Sequence, residues 1–200
     1  MKIIAVSGVA RSGKDTIADC LAEEVKSMFP NLSIKRESLA SFLKEEMAGF
    51  LLEKFNKDIF TLDGEEKEKF RPLLVAYGFA KRLDTQGTYF TSLLQKRMER
   101  ENHDIYIVSD LRYAENEGDE LSWLKNQGGK LIHIRRFDTK NGKKVYIKPP
   151  NEDEKKNDPI LEKNADFHVV WESSRSPQEL KTEASKHCQN FIHENINLFL

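Results

Sequence analysis

The stretch that most narrows what this chain can fold into is Gly8-Val9-Ala10-Arg11-Ser12-Gly13-Lys14-Asp15-Thr16. An apolar run, Ile3 to Val6, leads into it, and an apolar periodicity at Ile17, Ala18, Leu21, Ala22 and Val25 follows it. The order is strand, glycine loop, helix, the context in which a G-x-x-x-x-G-K string becomes a phosphate site. Gly8 and Gly13 let the backbone curl so that successive N–H groups, those of Arg11 and Ser12 among them, point inward. The helix beyond adds uncapped N–H groups and the positive end of its dipole. Lys14 brings a mobile full charge for the outer phosphates of a nucleotide. A Ser or Thr normally follows that lysine and reaches Mg²⁺. Here Asp15 stands there, with Thr16 next. Asp15 is therefore a candidate Mg²⁺ ligand, directly or through water, with helix capping as its structural alternative.

Length and composition set the outer bounds. The chain has 200 residues, which suits one domain, and a net charge of −1, which argues against a globally basic nucleic-acid binder. Only Cys20 and Cys188 are present, so no disulfide framework is expected. No stretch approaches the ~18 apolar residues of a membrane span, and no signal-peptide pattern opens the chain. The expectation is a cytoplasmic protein without membrane contact; the sequence leaves homodimerisation open.

Strand patterns at Lys2–Ser7, Leu32–Arg36, Asp104–Ser109, Lys130–Arg136 and Asp166–Trp171 alternate with helical ones. That alternation predicts an α/β fold, a parallel sheet with helices on both faces. Residues 38–101 read as helices set between the second and third strands, a cap beside the sheet. Within them a helix is expected to break or start near Pro72 and to end at Gly78, and 115–126 is expected to be helical. Residues 137–158 are polar, with Asn141-Gly142 and Pro149-Pro150, and read as a lid-like loop. A turn is expected at 173–176, and Ser176-Pro177 opens a last helix.

In an open parallel sheet, ligands lie beyond the carboxyl ends of the strands. Asp110 falls there, after Ile107-Val108-Ser109, with Arg112 two residues on. A carboxylate at that edge can hold Mg²⁺ through water or accept a proton. A guanidinium can grip a phosphate with its planar fork. The structural alternatives are Asp110 capping the next helix and Arg112 pairing with Glu115 or Glu117. Phe42, Tyr77, Phe79, Tyr89 and Phe90 are candidates to sandwich a base, though aromatics at helical spacing commonly serve the core.

Gly-Lys-Asp-Thr at 13–16, Ser-Asp-Leu-Arg-Tyr at 109–113, Asn116-Glu117, and Phe70-Arg71-Pro72-Leu73-Leu74 followed by Tyr77-Gly78 and Arg82 together resemble the deoxynucleoside monophosphate kinases of bacteriophage type. The phosphomevalonate kinases of animals share the layout. Both belong to the nucleoside-monophosphate-kinase-like group of P-loop NTPases. The resemblance implies ATP- and Mg²⁺-dependent phosphoryl transfer to a phosphorylated small molecule, a (deoxy)nucleoside monophosphate first and phosphomevalonate second. It implies that Lys14, Arg71, Asp110 and Arg112 are catalytic, with Asp15 and Asp110 on the metal. It also implies that Arg71, Arg82 and Arg112, with Phe42 and Tyr77, face the acceptor, and that Arg135 and Arg136 are lid arginines on the ATP side. One departure stands out. The acidic lid-side motif of the family is usually introduced by a histidine and a serine; here Asn151-Glu152-Asp153-Glu154 follows two prolines.

Three other classes carry the same glycine loop. A GTPase would show an Asn-Lys-x-Asp signature, and Asn56-Lys57-Asp58 lacks the spacing and the preceding strand. An ATPase motor calls for a larger chain or partner-binding segments. A 5′-polynucleotide kinase would track a nucleic-acid backbone with Lys140, Lys143, Lys144 and Lys148. These lysines lie in a polar stretch with few aromatics between them, so no nucleic-acid partner is expected.

Overall fold

The computed structural model describes residues 1–173 and 176–200; part of the turn expected at 173–176, Ser174 and Arg175, lies outside the described residues. Strand β1 (Lys2–Ser7) is continuous in apolar side chains, as a strand covered on both faces must be. Its residues alternate between two cores. Ile4 and Val6 pack with Ile17, Leu21 and Val25 of α1 (Lys14–Met28) and with Phe191 and Ile192 of the last helix. Ile3 and Ala5 face the opposite cluster with Leu39, Leu94, Met98 and Leu124. This two-residue alternation places helices on both sides of one sheet.

The remaining elements follow in chain order: β2 (Ile34–Glu37), α2 (Leu39–Phe55), α3 (Gly64–Asp84), α4 (Tyr89–Glu101), β3 (Ile105–Val108) and α5 (Glu120–Asn126). Then come β4 (Lys130–Lys140), β5 (Lys143–Tyr146), α6 (Glu152–Lys163), β6 (Phe167–Glu172), α7 (Pro177–Glu194) and a closing 3₁₀ turn, Ile196–Leu198. β2, β3, β1 and β4 are parallel neighbours in that order, and β6 runs parallel along β4. The expected parallel sheet with helices on both faces is therefore found. β5 is the exception, pairing antiparallel with the far end of β4.

Three local expectations are corrected. First, α3 runs unbroken through Pro72 and past Gly78. Gly78 is buried where α3 crosses α2, and a Cβ there would lie 2.8 Å from Leu43 Cδ1. The glycine marks a close helix crossing and not a helix end. Second, residues 115–119 belong to the loop after β3 instead of forming the first turn of α5. Asp119 Oδ2 accepts the N–H groups of Glu115 and Asn116, and Glu120 Oε2 accepts those of Arg112 and Tyr113. Side-chain acceptors supply what helical carbonyls would otherwise supply. Third, the lid-like stretch is a hairpin followed by a helix. Asn141 and Gly142 take φ of 52° and 72°, the left-handed pair of a type I′ turn between β4 and β5. Asn151 then caps α6, its side chain accepting the N–H of Glu154.

The loop after β1 is braced from below. Trp171 on β6, almost fully buried, donates its indole N–H to the Ser12 carbonyl at 2.8 Å. Gly13 sits at φ 99°, and a Cβ there would lie 2.1 Å from Trp171 Cζ2. Gly13→Ala should therefore combine backbone strain with overpacking and lower the unfolding free energy by about 2 kcal/mol or more in urea denaturation. An unchanged midpoint would show that the ring does not press on the loop.

Candidate active site

Strand β1 delivers the loop to the carboxyl edge of the sheet. Gly8 takes φ 134° and lies so near β4 that a Cβ would fall 2.4 Å from the Ile134 carbonyl oxygen. Arg11, exposed at the apex, adopts φ 66°, a left-handed conformation that is uncommon for an arginine. Ser12 turns back, its N–H donating to Val9 O at 3.1 Å, and its buried hydroxyl has no hydrogen-bond partner. Helix α1 starts at Lys14 without a side-chain cap, so its first N–H groups and its dipole face the loop. The Lys14 ammonium donates to the Gly8 and Val9 carbonyls at 2.7 and 2.9 Å. Burial lowers its pKa first and the Arg112 charge lowers it further, opposed by Glu154, Asp110 and Asp15. These charges therefore surround one ammonium.

A carboxylate of the chain itself lies in this cradle. Glu154, in the first turn of α6, accepts the Ala10 N–H at 2.7 Å through Oε2. Its Oε1 is 3.7 Å from Arg112 Nη1, and its side chain is only 11% exposed. A backbone donor of the loop and a guanidinium from the β3 edge thus meet on one anion. In the sequence, Glu154 was visible only as one member of an acidic run. Its place depends on β4, β5 and α6 returning to the loop, which no local pattern announces.

Helix α6 is fixed at several further points. Buried Asn157 accepts the Ala114 N–H at 2.7 Å, tying the helix to the loop after β3. Asp158 Oδ1 lies 3.6 Å from His133 Nε2, while His133 Nδ1 is 2.9 Å from Ser7 Oγ, just before Gly8. Burial pushes the His133 pKa down to about 4 and that of Asp158 up to about 6. His133 and Trp171 were not among the residues expected at the site; both sit on strands at the floor of the loop.

Asp110 lies at the β3 edge as expected, but its carboxylate is engaged. Oδ1 accepts the Leu39 N–H at 2.7 Å, and Oδ2 accepts the Ala40 N–H at 2.9 Å and the Ser38 hydroxyl at 2.8 Å. It caps a helix, as the structural alternative held, but that helix is α2 and not the one that follows in sequence. Asp15 points outward, 81% exposed, and pairs with Arg36. Among the described residues no group of three or more His, Cys, Asp or Glu could hold a metal. A Mg²⁺ bound mainly through phosphates and water needs only one or two carboxylates. Asp15, beside the uncapped start of α1, has the donor chemistry for that modest requirement, although its carboxylate is held by Arg36.

The arginines divide. Arg112 reaches the cradle through Glu154. Arg136 donates to Ser173 Oγ at 3.0 Å and to Arg11 O at 3.4 Å, beside the loop apex. Arg135 pairs with Glu162 at 2.8 Å and lies over the Tyr146 ring. Arg71, half-exposed on α3, bonds Glu68 at 2.7 and 2.9 Å. Arg82 pairs with buried Asp119 and lies 3.4 Å above the Tyr113 ring. Phe42 is buried among Leu39, Phe90 and Leu94, with Arg97 stacked on it, and it does not line the cavity beside the site. Tyr77 packs on the α2–α3 cluster and donates to Glu46 at 2.8 Å. Phe79, 61% exposed, is the cap aromatic that faces that cavity. Thr16 lies on the exposed side of α1. No described helix is long and apolar enough to cross a membrane, and both cysteines are free and buried.

Residues 6–129 match a family described as phosphomevalonate kinase. No match is found among curated proteins. Among solved structures, the chain is similar to a dephospho-CoA kinase from Campylobacter jejuni, at 15% identity and TM-score 0.42, covering 96% of each chain. It is also similar to a sugar kinase from Janibacter sp. HTCC2649, at 12% identity and TM-score 0.39, covering 94% of this chain and 95% of that one.

Glu154 and the outermost phosphate of a nucleotide would call on the same donors. Replacing the carboxylate with an amide removes one like-charge contact, worth about 1 kcal/mol in a partly screened site. Glu154→Gln should therefore tighten the Kd of ATP roughly fivefold in calorimetric titration. A weaker Kd would mean that Glu154 assists the nucleotide instead of competing with it.

Proposed function

The chain belongs to the phosphomevalonate kinase family, and from that premise we propose that it transfers the γ-phosphoryl group of ATP to the phosphate of a (deoxy)nucleoside monophosphate, giving the diphosphate. Membership makes it an ATP-dependent P-loop kinase of a small molecule. The identity of the acceptor is our reading. The observation that carries it is the meeting of the Ala10 N–H and the Arg112 guanidinium on a single carboxylate. A group that can sit there is anionic, touches the donor loop and is already faced by a cation from the acceptor edge.

The chemistry asks for little beyond positioning and charge neutralisation. An ionised oxygen of the acceptor phosphate attacks the γ-phosphorus. The bond from that phosphorus to the β–γ bridging oxygen breaks, and ADP departs with the electron pair. No proton has to move, so no general base is required. Lys14 and the loop amides hold the donor phosphates, and Arg112 stands where donor and acceptor anions meet. Asp110 serves by fixing the start of α2, which positions the acceptor-side cap. Arg71 can leave exposed Glu68 for an incoming phosphate, since such a surface pair is worth about 1 kcal/mol at most. Mg²⁺, when bound beside Asp15, would add charge stabilisation to the phosphates.

Phosphomevalonate is the second reading, favoured by the family match itself. ADP release, measured with a panel of deoxynucleoside monophosphates and with phosphomevalonate, separates the two. We expect turnover with at least one nucleotide acceptor and little ADP release without one. Lys14→Met should keep the wild-type melting temperature and lose at least about a hundredfold in turnover, as removal of a transition-state charge partner does. ATP hydrolysis that no acceptor accelerates would overturn the kinase reading.

A further inference from the structure

A cavity of about 430 Å³ opens on the acceptor side of the loop, within the range of small-molecule sites. It adjoins the phosphate cradle through two pairs of chain neighbours. Arg112 and Glu154 face the cradle; Tyr113 and Asp153, one residue away from each, line the cavity. Phe79 and Leu83, one turn apart on α3 and both well exposed, form an apolar wall. A group tethered to a phosphate at Arg112 would extend toward this wall.

The charge of the cavity is the informative part. Its one lining cation, Arg82, is already neutralised by buried Asp119, with Glu120 Oε1 3.5 Å away. Burial nonetheless holds the Glu120 pKa up to about 7. Arg82 Nη1 is buried against Glu120 and makes no hydrogen bond, so Arg82 offers the cavity no free donor there. The rim is acidic, with Glu115, Glu117 and Asp153 all exposed and no lysine among the lining residues. Glu115 is partly occupied, accepting from Asn157 Nδ2 at 3.4 Å. Carboxylates can only accept hydrogen bonds when ionised. The cavity therefore repels an anionic tail. It favours a flat, neutral group that donates from one edge.

Resting on the reading that the acceptor is a phosphate monoester, we propose that this cavity is the base site and that it selects nucleobases bearing an exocyclic amine. The ring lies against Phe79 and Leu83, and its amine donates to Glu117 or Asp153. The same charges disfavour the carboxylate of a mevalonyl group.

The test uses ligands without phosphate, so it reads the cavity apart from the cradle and apart from turnover. Deoxycytidine, deoxyadenosine, thymidine and mevalonate are titrated calorimetrically into the full chain and into Phe79→Ala and Glu117→Gln. The two amino-bearing nucleosides should bind, with thymidine about tenfold weaker and mevalonate weaker still. Phe79→Ala, at an exposed position, should weaken deoxycytidine and deoxyadenosine about tenfold, the loss of one base–aromatic stack. Glu117→Gln should narrow the gap between deoxycytidine and thymidine. Both variants should keep the wild-type Kd for ATP. Thymidine or mevalonate binding as tightly as the amino nucleosides, binding that Phe79→Ala leaves unmoved, or no nucleoside binding at millimolar concentration would each overturn the proposal. Nucleotide turnover with binding blind to Phe79 would remove the base site and leave the kinase reading. Selective nucleoside binding without turnover would do the reverse.

Discussion

The loop at residues 8–16 concentrates backbone donors at one point, and the rest of the chain is arranged to hold it in that shape. A curled loop of this kind is costly on its own, since it needs left-handed residues and leaves N–H groups aimed at one another. The sheet supplies the restraint. β4 lies directly beneath Gly8, β6 brings Trp171 under Gly13, and the indole N–H fastens the Ser12 carbonyl. These strands come from the second half of the chain, so the phosphate site is a product of the whole sheet. Arg11 is the non-glycine residue at positive φ in the loop, and Arg136 reaches its carbonyl.

Carboxylates at the edge of the sheet act mainly as builders. Asp110 satisfies two amides and a hydroxyl at the start of α2. Asp119 and Glu120 satisfy four amides of the loop after β3 while sharing Arg82. Buried polar groups must be paired, and here the pairing also sets the shape of the acceptor side. Glu154 differs from these, because its partners are a donor of the phosphate loop and the arginine that faces it.

Local features were legible in the sequence and distant ones were not. β1, the glycine loop and α1 follow directly from a continuous apolar run, two glycines and a helical apolar stripe. The capping box at Ser176 and Glu179 likewise opens α7 where Ser-Pro suggested. Gly78 misled, because a glycine that ends a helix and one that lets two helices touch look alike in sequence. Asn141-Gly142 carried a hairpin signal that a reading of 137–158 as a lid-like loop passed over. Asp110 and Arg112 were placed on the correct edge, yet the partner that engages Asp110 lies about seventy residues away. Phe42 followed the ordinary fate of an aromatic at helical spacing and went to the core, leaving Phe79 and Tyr113 at the cavity.

The central claim is that residues 8–16 bind the phosphates of a nucleotide through their backbone amides and Lys14. Amide ¹H–¹⁵N resonances followed during titration with a non-hydrolysable ATP analogue test it most directly. The account predicts that the largest shifts fall on Ala10 and on residues 12–16, saturating together. Loop amides that stay unmoved while another surface responds would contradict it.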